Sequence, residues 1–247
     1  HYLHADFLKW KRQPQLFMHL IIPAVGISMF LAYYSHIAWT PMSKAAGYIE
    51  VLAVAFPGLI GIVCSMSTER EAAAGNFQYF LSAPMRPLPF FSMLASLLIM
   101  GFAAVKLASV GFGIGFLTLL DLKPYSIDLY FYVACVLLIS NVFLYVLHLL
   151  VGLRYGQGAS IGLGIVESLL AALLLTGLGD AGWQFIPCAW GARFVSLLVQ
   201  HTDGVSLPYP VISQTRMGIS CCVAGTIAAM LFAGVWINRW EGNKSEE

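Results

Sequence analysis

The chain has 247 residues, 59% of them apolar and only 10% charged, with 13 Lys and Arg against 12 Asp and Glu. Soluble domains carry roughly 25% charged residues, so a mean hydropathy of +0.79 excludes an ordinary soluble domain and points to an all-α integral membrane protein. A formal net charge of +1 gives no electrostatic basis for a nucleic-acid partner.

The opening residues 1–15 are amphipathic, with Leu3, Phe7, Leu8 and Trp10 beside Lys9, Lys11 and Arg12. Basic and aromatic residues together suit an interfacial helix; the plainer alternative is a basic flank that anchors the first span. Pro14 marks the turn into the bilayer and Pro23 a kink. The first apolar run is too long for a cleavable signal peptide and lacks a small-residue cleavage site.

A spanning helix needs roughly 20 apolar residues, and six stretches qualify: Leu16–Ile37, Tyr48–Met66, Phe90–Leu120, Leu129–Leu153, Ile161–Leu178 and Gly218–Ile237. The third is too long for one crossing. Six crossings put both termini on one side. With that side inside, Lys9, Lys11, Arg12, Arg70, Arg86, Arg154, Arg239 and Lys244 are cytoplasmic, against Lys44, Lys123, Arg193 and Arg216 outside. The positive-inside bias therefore favours cytoplasmic termini.

Between spans two and three, residues 68–86 interrupt the apolar pattern. Thr68 followed by Glu71 fits a capping box at a helix start, and Glu69 and Glu71 suit the positive end of the helix dipole. Phe77, Phe80 and Leu81 give one apolar face, and Pro84, Pro87 and Pro89 stop the helix. The expectation is a surface helix over 68–86, either a docking element or a solvated connection.

Ionisable groups within spans are costly and mark functional positions. Lys106, His148 and Glu167 qualify, and a Lys106–Glu167 pair with His148 nearby is expected. A packing ion pair and snorkelling to the interface are the structural alternatives. Gly111 with Gly115, and Gly158 with Gly162, form small-xxx-small pairs that let helices approach closely.

The external segment 179–215 holds an apolar stretch, 187–201, too short to cross and therefore re-entrant or interfacial. Trp183, Trp190 and Tyr209 are expected at headgroup level. Five cysteines (Cys64, Cys135, Cys188, Cys221, Cys222) show neither CxxC nor zinc spacing and read as apolar packers. No catalytic motif and no metal set is legible; His19 and His36 flank the first span as interfacial residues. The chain has no G-x-x-x-x-G-K-[ST] loop, so an ATPase working with it must be another polypeptide.

The string from Glu69-Arg-Glu-Ala-Ala-Ala-Gly-Asn-Phe-Gln-Tyr-Phe-Leu-Ser-Ala-Pro-Met to Arg86 resembles the cytoplasmic loop of ABC-2-type transporter permeases, with one additional alanine before Gly75. Residues 7–34 and the six-span order resemble the lantibiotic-immunity permeases of that family. The resemblance implies a single 1–247 permease domain in a bacterial cytoplasmic membrane, paired with an identical or related permease and with ATP-binding subunits that carry ATP and Mg. It makes 68–86 a coupling helix, with Thr68, Glu69, Arg70, Glu71, Gly75, Asn76, Phe77, Gln78 and Arg86 toward the ATPase. This chain would bind no cofactor and catalyse no bond change, while the assembly expels an amphipathic cationic peptide. Asp180 and Asp203 stand outside as weak attractors for it. The rival readings are an ABC-2 permease for a drug or lipid, a polytopic enzyme centred on Glu167 and His148, and a scaffold or sensor.

Overall fold

In hydrocarbon, a chain this apolar must satisfy its backbone polar groups internally, and helices do so within each segment. The computed structural model describes residues 14–242, and every regular element among them is helical. The α-helices are α1 (Pro14–His36), α2 (Pro41–Ala73), α3 (Gln78–Leu81), α4 (Pro87–Leu120), α5 (Ile127–Ser140), α6 (Val142–Tyr155), α7 (Gln157–Leu175), α8 (Pro187–Thr202) and α9 (Tyr209–Arg239). The proposed interfacial helix of residues 1–15 falls almost wholly outside the described residues.

Five helices are long and apolar enough to cross a membrane, and α5 with α6, bent by 44°, makes a sixth if that pair is one broken span. Their outer faces are apolar too. Phe17, Ile21, Val25 and Met29 form an exposed i+4 ridge on α1, and Ile219, Val223, Ile227 and Leu231 form another on α9. Apolar surfaces this continuous do not face water in soluble proteins. The chain is a multi-pass membrane protein.

Local chemistry sets the helix ends. Proline occupies the first turn of α2, α4, α8 and α9, where its missing N–H costs nothing. Thr40 caps α2 by accepting from the Ser43 N–H at 3.2 Å. Lys44 donates to Tyr34 O at 2.8 Å, placing a cation at the C-terminal end of α1. The break between α5 and α6 involves no proline. Asn141 turns its amide back to Leu137 O at 2.8 Å, and Ser140 donates to Val136 O at 2.6 Å. Such side-chain back-bonding competes with the helical ladder and bends it.

Helix α2 is central and lies closest to α7. A Cβ at Gly164 would stand 3.2 Å from Gly58 Cα and 3.3 Å from Gly61 Cα, and one at Gly61 would stand 2.8 Å from Ser160 O. Here backbone meets backbone. Gly58 N–H donates across the seam to Ser168 Oγ at 2.9 Å. The expected close approach at Gly158 and Gly162 does not occur, because a Cβ at either meets nothing within 4 Å. Gly111 and Gly115 do receive a neighbour, lying against Ile27 and Leu31 of α1.

Several contacts orient the bundle. Gln15 donates to Val63 O and Ser67 Oγ, each at 2.8 Å. A Cβ at Gly152 would stand 2.6 Å from Thr68 Oγ1, and Arg86 donates to Trp240 O at 2.7 Å. The start of α1, the end of α2, the turn between α6 and α7 and the end of α9 therefore share one end of the bundle. Helix α8 sits within the bundle against α2, α5 and α7. Trp183 and Trp190, expected at headgroup level, are 2% and 3% exposed. They fill the space above Gly218 and Gly225 of α9, so both indoles are covered by protein.

The α2–α7 seam makes a contrast testable by thermal unfolding in mild detergent. Gly164→Val should destabilise the protein by about 1–3 kcal/mol through overpacking, while Gly158→Ala should leave the melting temperature unchanged or raised.

Candidate functional site

The first cluster of sequence-predicted residues lies at the end of α2. No capping box forms at Thr68. The helix continues through it to Ala73, and the Thr68 hydroxyl donates to Ser65 O at 3.0 Å, one turn back. Thr68 is 1% exposed and faces Gly152 of α6, so tertiary packing extends α2 past the local start signal. Residues 68–86 are thus not one helix but the end of α2, an elbow, and the single turn α3.

The elbow is tightly wound. Gly75, Asn76 and Phe77 have φ of 150°, 46° and 65°. Carbonyls at the end of α2 are satisfied as Ala74 N–H donates to Arg70 O, Asn76 N–H to Ala72 O and Phe77 N–H to Glu71 O. A bulky residue at positive φ is strained and needs compensation. Phe77 obtains it by burial, edge-on to Trp240 at 5.0 Å, with Phe80 against the same indole at 6.5 Å. Trp236 stacks beneath at 5.6 Å, and Arg86 ties the chain to Trp240 O.

The apolar face predicted for this segment is therefore consumed inside the chain. Glu69, Gly75, Asn76 and Gln78 remain exposed, Arg70 is half-buried, and Glu71 is buried with Oε1 3.4 Å from Arg70 Nη2. Trp236 and Trp240 were not singled out from sequence; their position at and just beyond the end of the last apolar run was the available signal.

The second cluster lies where α2, α6 and α7 meet. His148, fully buried, places Nε2 2.8 Å from Glu167 Oε2 and Nδ1 3.0 Å from Ser160 Oγ. Ser160 Oγ donates to Gly61 O at 3.0 Å. The proton count follows from this. With Ser160's one hydroxyl proton on Gly61 O, Nδ1 must carry a proton and donate to Ser160. A single proton is then shared between Nε2 and Oε2, either as imidazolium with carboxylate or as neutral imidazole with carboxylic acid. Both arrangements are neutral overall, which suits a buried pair. The set has Ser–His–acid composition, but the Ser160 hydroxyl is buried and points at a backbone carbonyl, so the geometry locks helices and presents no nucleophile.

Lys106 does not join this pair. It stands exposed on α4, with Nζ 5.5 Å from the Phe131 ring centroid, a cation–π contact on a stem long enough to reach polar surroundings. His19, expected at the interface, is buried with Nδ1 2.8 Å from Gln15 O; His36 is exposed.

Cys188 on α8 is a buried free thiol. Toward the far end, Ser196 of α8 donates to Glu50 Oε1 at 3.3 Å. Glu50 was legible as a carboxylate within the second apolar stretch and was passed over. Asp180 is engaged by Arg193 at 2.8 Å, while Arg193 also donates to Leu174 O and Thr176 O at 2.6 Å each. Among the described residues, no group of three His, Cys, Asp or Glu side chains is placed to hold a metal. No family model, curated protein or solved structure matches the chain.

Glu167→Leu should cost about 1–3 kcal/mol by stranding a ring nitrogen, while Glu167→Gln, which can donate to or accept from Nε2, should retain most of that stability. In a double-mutant cycle with His148→Phe, read by detergent melting, the two losses should fail to add by about 0.5–3 kcal/mol.

Proposed function

We propose that this chain is the membrane-spanning permease subunit of an ATP-binding-cassette exporter, driven by separate ATP-binding subunits. In this reading 127–155 is one broken span, giving six, and the elbow end is cytoplasmic by its excess of Lys and Arg. The observation that carries the reading is the elbow itself, a small exposed knob strained into shape and fixed to three spans at once. Two connections are covalent, to α2 and through α3 to α4. The third is the grip of Trp240, at the end of α9, on Phe77, Phe80 and Arg86. A solvated connection needs no such anchoring; a surface that receives force from a partner does.

In this role Glu69, Asn76 and Gln78 contact the ATPase, while Thr68, Glu71, Phe77 and Arg86 hold the knob rigid. The polar knot at His148, Ser160 and Glu167 keeps α2, α6 and α7 moving as a block. Helix α8 then serves as the re-entrant element on the outer side, and an amphipathic cationic peptide, as in lantibiotic immunity, is the cargo favoured by the sequence resemblance. A second copy of this chain, or a related permease, completes the path.

The reading is tested by affinity purification of the tagged full chain from its native membranes in mild detergent, with the eluate probed for a P-loop ATPase. The expected result is recovery of the ATPase with the wild-type chain. Replacing Glu69 and Gln78, both exposed, together with Ala should weaken association about tenfold, as loss of a modest hot spot does, without lowering the melting temperature. Recovery of no ATP-binding subunit would overturn the assignment.

A further inference from the structure

A spanning helix that bends sharply frees some of its own backbone groups, and these must find partners in neighbouring helices, side chains or ordered water. The 44° break between α5 and α6 is buried, with Ser140 3% and Asn141 1% exposed. Asn141 is the N-cap residue of α6. An asparagine in that position ordinarily turns its side-chain oxygen onto an N–H of the first helical turn. This one does not. No side chain caps α6, so the N–H groups that open the helix still require an acceptor.

The direction of the amide is the reason. Leu137 O takes a hydrogen bond from Asn141 Nδ2 at 2.8 Å. A carbonyl can only accept, so the positions of nitrogen and oxygen in the amide are fixed. Oδ1 is turned the other way and is buried without a partner. An oxygen that needs a donor and N–H groups that need an acceptor therefore belong to the same turn, unconnected to each other.

Helix α9 brings a third such group. The Thr226 hydroxyl is buried without a hydrogen-bond partner of ordinary geometry, with the weak thiol of Cys222 beside it. Its neighbours on α9 face the break. Cys222, one turn earlier, places Sγ 3.8 Å from Ser140 O, and a Cβ on Gly225 would stand 3.8 Å from Phe143 in the first turn of α6. Buried polar groups are seldom left unmatched, and ordered water completes them where protein does not. A buried water makes about three hydrogen bonds, the number offered here.

We propose that the α5–α6 break holds one buried water molecule, which accepts from a first-turn N–H of α6, donates to Asn141 Oδ1 and bonds to the Thr226 hydroxyl. The water completes the cap that Asn141 leaves open and ties α9 to the break. The site requires neither an ATPase nor a second copy of the chain.

The test is hydroxyl-radical footprinting by X-ray radiolysis of the full chain in lipid nanodiscs, in water enriched in heavy oxygen. Radicals form from water in place, so a buried side chain is labelled when a water lies beside it. Cys222 and Cys64 are a matched pair, both buried and both with a carbonyl oxygen 3.8 Å from Sγ. Heavy oxygen on Cys222 should exceed that on Cys64 by about tenfold, since one thiol has a water within reach and the other does not. Thr226→Val and Asn141→Leu should each bring Cys222 down to the level of Cys64, while Thr226→Ser should keep the label. If Asn141→Leu fails to fold, the two Thr226 variants decide the matter. Equal labelling of the two thiols in the wild-type chain overturns the proposal. So does a Cys222 label that survives Thr226→Val, or one that Thr226→Ser loses as fully as Thr226→Val does.

Discussion

The contact on which the rest of the structure depends is the backbone-to-backbone approach of α2 and α7. In lipid, the hydrophobic effect does not drive helices together, so association rests on close packing and interhelical hydrogen bonds. Gly164, lying between Gly58 and Gly61, supplies the first. Ser168 on Gly58 N–H and Ser160 on Gly61 O supply the second. Once that register is set, His148 of α6 has one place to go, between Ser160 and Glu167. A polar group that would be expensive alone becomes affordable because every partner is delivered by the same seam.

The elbow depends on the same helix by a different route. Helix α2 has 33 residues, about 50 Å at 1.5 Å per residue, well over the 30 Å of hydrocarbon, so it is long enough to span and still carry the elbow on a rigid helical stem. Reversing direction there requires positive φ at three consecutive residues, two of them not glycine. Strain of that kind persists only where surrounding contacts over-determine it. The two tryptophans at the end of α9 do so, and the elbow is as much a part of α9 as of α2.

The spans were legible because a run of some 20 apolar residues has few alternatives in a chain this hydrophobic, and the elbow's location was legible from its charge. The details failed where a local pattern competed with a tertiary one. Thr68 and Glu71 have the spacing of a capping box, but Gly152 gives α2 a surface to keep following. On α7 the small-residue spacing was right and the face was wrong. Gly158 and Gly162 lie two residues, hence about 200°, from Ser160 and Gly164, which make the contact. Glu167 was expected to choose a lysine by charge; it took a histidine, because α6 and not α4 lies beside it and a lysine stem can reach polar surroundings on its own. Which helices are neighbours is the information that spacing along one chain does not carry.

The arrangement of interactions around α2 is lopsided, and the lopsidedness has mechanical content. Toward α6 and α7 it is held by glycine contacts and a closed hydrogen-bond network with little room to slide. Toward α1 it is held by Gln15 at one end, while an apolar cleft opens along much of the rest. Packed glycine seams and satisfied polar networks have discrete arrangements and resist small displacements, whereas an apolar cleft in fluid hydrocarbon can widen or narrow without breaking a hydrogen bond. In the proposed permease reading, a force applied at the elbow would move α2, α6 and α7 together, with the displacement taken up between that block and α1.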